Sequence, residues 1–119
     1  MVNRFASLSM ALLFGAGVAG IGALSVSAQA AETPSFEIAI KAHKFEPSEL
    51  TVPAHTKIKL VVSNLDASAE EFESYELNRE KIIAGGTKAV IFVGPLEPGT
   101  YPFFGEFNQK TAQGKLIAK

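Results

Sequence analysis

The carboxylates between residues 66 and 80 are the side chains best suited by type and spacing to do chemistry. Six fall in fifteen residues, namely Asp66, Glu70, Glu71, Glu73, Glu76 and Glu80. If this stretch is extended, Glu71 and Glu73 share one face because side chains alternate along a strand, and Phe72 points into the core. Glu106, which follows another predicted strand, is the best partner from elsewhere in the chain. Converging carboxylates favour hard cations such as Fe³⁺ or Mn²⁺, and Cu²⁺ also fits if His43 adds an imidazole.

The same acidic run has a second interpretation. Acidic runs are usually solvated faces, in which Arg79 would pair with Glu73 or Glu76 and such pairs contribute little. Residues 66–80 would then be the docking surface of a metal-free interaction module. If Arg79 is instead buried against Glu71 or Glu80, it would orient metal ligands.

Several classes of function are excluded by composition. The 119 residues contain no Cys, which removes disulfides, thiolate nucleophiles and iron–sulfur clusters. A blue-copper (type 1) site needs a Cys thiolate with two His, so it is excluded as well. The net charge of −1 gives no basis for binding nucleic acid. No serine lies in a nucleophile elbow, and no glycine-rich phosphate loop is present.

The first 30 residues have the composition of a secretory signal peptide. Arg4 is their single charged residue, an apolar run covers residues 10–24, and Ala28-Gln29-Ala30 is a small-x-small cleavage signal. An uncleaved membrane anchor is the alternative. Cleavage would export residues 31–119 as one domain of 89 residues with 10 basic and 12 acidic side chains, and with no sulfur atom, because both methionines lie in the leader.

The elements that must position the carboxylates are short strands. Apolar alternation or flanking turns mark five of them, over residues 36–40, 56–62, 87–93, 101–104 and 114–118. Residues 70–83 are ambiguous, because Phe72, Tyr75 and Ile82 would also fall on one side of a helix. Six to eight short strands with regular turns predict an all-β antiparallel sandwich. The position of Tyr101 predicts that its hydroxyl forms a hydrogen bond to the backbone, as the tyrosine at the corner of a β-sandwich does.

The order of several short motifs resembles a known family. The motifs are Phe45-x-Pro47, Leu50-Thr-Val-Pro-Ala54, Leu60-Val-Val-x-Asn64, Glu70-Glu-Phe-Glu-Ser74, Leu77-Asn-Arg-Glu-Lys81, the segment 94–107 ending in Gly-Glu-Phe, and Thr111-Ala-Gln-Gly114. Together they look like the cupredoxin-like proteins of bacterial ferrous-iron uptake operons, relatives of the cupredoxin module of the EfeO-type component. The resemblance covers nearly all of residues 36–118. It implies a Greek-key cupredoxin-like β-sandwich in the periplasm, working beside a membrane iron permease and other periplasmic iron-uptake components.

Two positions depart from the family pattern. Where the family typically has Gly-Glu-Phe-His, this chain has Gly105-Glu106-Phe107-Asn108, so an amide replaces an expected imidazole. Where the family has Pro-Ala-Gly, this chain has Pro-Ala-His55. Histidine tolerates a positive φ better than most residues, so we expect the left-handed turn to persist with some strain.

These observations predict a periplasmic accessory protein of iron uptake. Glu71, Glu73 and Glu106 are its candidate metal ligands, with Asn108 and His43 as further candidates, and the ion is iron or copper. Its role would be to present iron to the permease or to help oxidise it, without being an enzyme in its own right. The metal-free docking module remains the alternative.

Overall fold

The computed structural model describes residues 32–119, so the predicted signal peptide over residues 1–30 lies outside the described part. Residues 32–119 form nine strands and one short 3-10 turn. The strands are β1 (Ser35–Lys41), β2 (Lys44–Glu46), β3 (Glu49–Val52), β4 (Ile58–Asn64), β5 (Glu70–Ser74), β6 (Arg79–Ile83), β7 (Lys88–Val93), β8 (Gly99–Gly105) and β9 (Gln113–Ala118), and the turn is Glu106–Asn108. No helix within this range is long and apolar enough to cross a membrane.

The strands form two sheets. One has the order β2-β1-β4-β7 and the other the order β3-β9-β8-β5-β6. The predicted all-β sandwich is therefore confirmed, but the expectation of purely antiparallel pairing is wrong for two pairs. β1 runs parallel to β4, and β3 runs parallel to β9. The chain leaves the first sheet to form β3 and then returns, so β4 enters that sheet in the same direction as β1.

The core lies between the sheets and is built from alternate residues of each strand. β4 shows this most clearly, because buried and half-buried residues alternate along its whole length. Phe45, Phe72 and Phe103 join the two sheets, with ring centroids 4.9–6.1 Å apart. Aromatic pairs in such edge and offset arrangements contribute about 0.5–1.5 kcal/mol each beyond the area they bury.

The ambiguous segment 70–83 is a β-hairpin, and the helical alternative is wrong. β5 and β6 pair antiparallel, with Glu70 opposite Ile83 and Glu73 opposite Glu80. Phe72 is fully buried, whereas Tyr75 and Ile82 are 73% and 60% exposed. β5 lies between β6 and β8 and bonds to both, and this sheet pairing outweighs a helical pattern that rested on three residues.

Two turn residues behave as predicted. The hydroxyl of Tyr101 donates a hydrogen bond of 2.7 Å to the carbonyl of Glu97, returning to the backbone as a corner tyrosine does. His55 adopts a φ of 56°, and its backbone N–H donates to the carbonyl of Leu96 at 2.7 Å. The left-handed turn thus persists with an imidazole at position 55.

Candidate metal centre

Four carboxylates lie together on the outer side of the five-stranded sheet. The alternation of β5 turns Glu71 and Glu73 outward while Phe72 is buried. The register of the hairpin brings Glu80 of β6 opposite Glu73, and Glu106 follows directly after β8, which pairs with β5. We call Glu71, Glu73, Glu80 and Glu106 the carboxylate face. Three of these four residues, Glu71, Glu73 and Glu106, are the candidate metal ligands predicted from the sequence.

The pKa values of Glu71 and Glu73 are both raised, first by partial burial and then by neighbouring carboxyl groups. Partial burial is the largest cause that raises the pKa of Glu71, followed by a hydrogen bond with Glu80 and the charges of Glu80 and Glu106. Partial burial also raises the pKa of Glu73 first, followed by a hydrogen bond with Glu106 and the neighbouring charges. A bound cation would offset the repulsion among these carboxylates.

The field of these carboxylates extends to Tyr75. The pKa of its phenol is raised, first by the charge of Glu73 and then by partial desolvation and the charge of Glu106. The ring packs against Phe104, with centroids 5.5 Å apart. The acidic face therefore has an aromatic border.

The carboxylates are arranged as two pairs, Glu71 with Glu80 and Glu73 with Glu106. Within residues 32–119, no three His, Asp or Glu side chains converge closely enough to form a ready metal-binding group. The three ion pairs found in this range involve other residues, so no basic side chain neutralises the face. A cation would have to draw the two carboxylate pairs together.

The other two candidate ligands predicted from the sequence, Asn108 and His43, contact carboxylates outside the carboxylate face. The Asn108 amide donates a hydrogen bond of 2.7 Å to Glu70. Nδ1 of His43 lies 3.6 Å from Oδ2 of Asp66. Both residues line one open groove of about 550 Å³ together with Glu106. The structure thus brings Asn108 and His43 to the end of the molecule where Glu106 lies, while their polar atoms already contact other carboxylates.

Asp66, from the acidic run, organises a turn. Its carboxylate accepts hydrogen bonds from the backbone N–H groups of Ala42 and His43, at 2.8 and 2.9 Å. These bonds, the one from His43 first, lower the pKa of Asp66. Ala42 and His43 both have a positive φ, in a two-residue hairpin position where Asn-Gly is usual. Asp66 thereby offsets the strain of that turn, which is a structural role.

Arg79 does not pair with a carboxylate, so both roles expected of it are wrong. Its Nε donates to the carbonyl of Phe92 at 2.8 Å, and Nη1 donates to the carbonyl of Asn78 at 2.8 Å. Phe92 lies on β7, at the edge of the opposite sheet. Arg79 therefore bridges the edges of the two sheets through backbone carbonyls.

Glu70 is the residue that the sequence interpretation passed over. It is 1% exposed, and its carboxyl accepts hydrogen bonds from Glu71, Phe107 and Asn108. The signal for it was present, because period-two alternation places Glu70 on the same side of β5 as Phe72. Glu70 was grouped with its acidic neighbours, although the alternation places its side chain on the buried side of the strand.

Comparison with known proteins identifies the family. Residues 13–118 match the Cupredoxin-like domain family. The chain belongs to this family. It is 49% identical over 81 residues to uncharacterized protein RP394 of Rickettsia prowazekii, covering 68% of this chain and 65% of that protein. It is 34% identical over 91 residues to the iron uptake system component EfeO of Yersinia pseudotuberculosis, covering 72% of this chain and 24% of that protein.

The fold is also that of solved cupredoxins. Auracyanin A, a blue copper protein of Chloroflexus aurantiacus, superimposes with a TM-score of 0.64 at 15% identity, covering 74% of this chain and all of the other. The predicted cupredoxin-like sandwich is therefore confirmed. This likeness concerns the fold alone, since the chain has no Cys to supply the thiolate of a blue-copper site.

Proposed function

We propose that this cupredoxin-like protein is a periplasmic accessory component of iron uptake, which binds a metal ion on the carboxylate face and presents it to a membrane permease. The observation that carries the proposal is the grouping of Glu71, Glu73 and Glu106 on one sheet face, with raised pKa values for the first two and no basic neutraliser. The similarity to EfeO, an iron uptake system component, supports the iron-uptake role. The leader-like residues 1–30 support the location.

The chemistry of the face favours a hard cation. Its donors are carboxylate oxygens, which suit Fe²⁺, Fe³⁺ and Mn²⁺ and also accept Cu²⁺. A carboxylate must be deprotonated to bind a metal ion, and the pKa values of Glu71 and Glu73 are raised, so affinity should increase as pH rises. Because carboxylates bind the ferric ion more strongly than the ferrous ion, the same ligand set would stabilise the Fe³⁺ product when an external one-electron acceptor oxidises bound Fe²⁺. His43 would join the ligand set by turning from Asp66, whereas Asn108 keeps its contact with Glu70.

A second candidate function is the metal-free docking module. The face carries exposed apolar side chains beside its charges, with Tyr75 packed on Phe104 and Ile82 largely exposed. A surface that combines acidic and aromatic groups fits a basic partner protein, because such a partner would neutralise the carboxylates and cover the rings.

Calorimetric titration of the purified protein with Fe²⁺ under anaerobic conditions, and with Fe³⁺, Mn²⁺ and Cu²⁺, tests the proposal. We compare the wild type with a Glu71→Gln/Glu106→Gln variant. A Glu37→Gln/Glu46→Gln variant is the matched control, because it removes the same charge from exposed positions on the opposite sheet. We expect micromolar binding by the wild type and the control, and binding weaker by about tenfold or more in the Glu71/Glu106 variant. Absence of binding, or equal binding by all three proteins, would refute metal binding and leave the docking module.

A further inference from the structure

Glu70 is a buried carboxyl group that joins two parts of the fold. It is the first residue of β5 and is 1% exposed. Its Oε1 accepts hydrogen bonds from the backbone N–H of Glu71 at 3.0 Å and of Phe107 at 2.9 Å. Its Oε2 accepts one from Nδ2 of Asn108 at 2.7 Å. Two of the three donors therefore belong to the 3-10 turn that begins at Glu106.

Gly105 packs closely against this carboxyl group. A Cβ added at Gly105 would lie 2.6 Å from Cδ of Glu70 and 2.6 Å from Cβ of Ala112. The backbone N–H of Gly105 donates to the carbonyl of Ala112, which closes residues 105–112 into a loop. Glu70 thus fills the space between β5 and this loop, and glycine at 105 is what permits the close approach.

The geometry points to Glu70 as a positioning residue for the carboxylate face. Glu70 accepts hydrogen bonds from Phe107 and Asn108, and Glu106 directly precedes Phe107. These two hydrogen bonds therefore determine the position of Glu106 relative to Glu73, which lies on the same strand as Glu70. We infer that the Glu73–Glu106 pair is preorganised by this contact before any metal binds. Asn108 then acts on the face through Glu70. The part of the inference that concerns metal affinity rests on the proposed function, whereas the part that concerns geometry rests on the structure alone.

An exchange of donor and acceptor tests the inference. Glu70→Gln removes the charge of the acceptor, but the Asn108 amide can turn to present its oxygen to the new amide, so this variant alone should have the smaller effect. In Asn108→Asp, two carboxylates would face each other. Combining Glu70→Gln with Asn108→Asp restores one donor and one acceptor and keeps the net charge of the wild type. Asn108→Ala is the milder variant, because it leaves Glu70 its two backbone donors. Gln113→Ala is the control, since it removes a different hydrogen bond from the same loop, to the carbonyl of Gln109.

Two readouts separate positioning from metal binding. In the metal-free protein, NMR measures hydrogen exchange of the Phe107 N–H and the nuclear Overhauser contacts between the side chains of Glu73 and Glu106. Calorimetry measures Mn²⁺ affinity. We expect Asn108→Asp alone to lose the contacts, exchange faster and bind Mn²⁺ about tenfold more weakly, whereas the double variant recovers both and the control changes neither.

The outcomes are distinguishable. If the wild type binds none of Fe²⁺, Fe³⁺, Mn²⁺ and Cu²⁺ but the NMR contacts respond as described, the proposed function fails and the positioning role stands. If Asn108→Asp folds and keeps the Glu73–Glu106 contacts, or if the double variant folds without recovering them, the positioning role is refuted. If only Asn108→Ala folds, unchanged contacts and affinity in that variant refute it equally.

Discussion

Replacing Asn64 by alanine should be one of the most damaging substitutions outside the aromatic core. Asn64 ends β4 and is 1% exposed. Its Nδ2 donates to the carbonyls of Ser68 at 2.8 Å and Ile83 at 3.0 Å, and its Oδ1 accepts from the N–H of Asp66 at 3.0 Å. One amide therefore ties the 64–68 loop to the end of β6.

The magnitude follows from the groups that alanine would leave unpaired. A buried carbonyl left without a donor costs about 1–3 kcal/mol, and we assign about 2 kcal/mol to Ile83. The other two bonds are partly accessible, so water compensates in part and each loss costs about 0.5–1 kcal/mol. The total is about 3–4 kcal/mol, which lowers the melting temperature of a domain of this size by about 15–25 °C.

Urea unfolding followed by far-ultraviolet circular dichroism measures this loss. Ser63→Ala, at the neighbouring half-buried position of the same strand, is the control and should change the free energy of unfolding by less than about 0.5 kcal/mol. Asn64→Asp keeps the acceptor for Asp66 but removes both donors and buries a charge, so it should destabilise at least as much as alanine at pH 7. A loss below about 1 kcal/mol for Asn64→Ala would refute the assignment of the three hydrogen bonds.

The remaining predictions concern charge and backbone strain. The pKa values of Glu71 and Glu73 are raised in the folded protein, so folding is penalised increasingly as pH rises from about 4 through those values. Glu71→Gln/Glu73→Gln should therefore unfold at higher urea concentration than the wild type at pH 7 but at a similar concentration at pH 4, and an equal difference at both pH values would contradict this. The lowered pKa of Asp66 acts in the opposite sense, so the stability it supplies is present above pH 4 and is lost as pH falls through its folded value. His55→Gly should stabilise the protein by about 0.5–1 kcal/mol, because glycine adopts a positive φ without the steric cost of a Cβ, and a decrease in urea midpoint would show that the His55 side chain contributes more than its strain.

Much of the sandwich could be predicted because period-two alternation is a local property. β1 and β4 each show it in the printed sequence, and both turn the indicated apolar residues toward the core. β7 is instead a continuous apolar run over residues 89–93, and the structure shows that its Val90 and Phe92 are exposed. The outward orientation of Glu71 and Glu73 followed once their segment was treated as extended. The choice between strand and helix for residues 70–83 did not follow, because a few apolar residues fit both periods until pairing with β8 decided between them.

The candidate site was predictable only in part, because its composition depends on register and on contacts far apart in sequence. Glu80 joins the carboxylate face because the hairpin places it opposite Glu73. Asn108 and Glu70 are 38 residues apart, and no local pattern indicates that the amide of one meets the carboxyl of the other. The roles predicted for Arg79 were wrong for the same reason, because its side chain donates to the backbone carbonyl of Phe92 at the edge of the other sheet.

The sequence by itself determined which chemistry is available. Without cysteine the chain cannot form a blue-copper site, so the side chains that remain to bind a metal ion are its carboxylates and two histidines. It also determined the sandwich, since strand alternation requires only neighbours along the chain. Tertiary structure alone decided that Glu80 joins Glu71, Glu73 and Glu106 on one face, and that the buried carboxyl of Glu70 holds the turn at Phe107 and Asn108. These outcomes depend on strand register and on desolvation by distant residues, and neither property is encoded in any short segment of the chain.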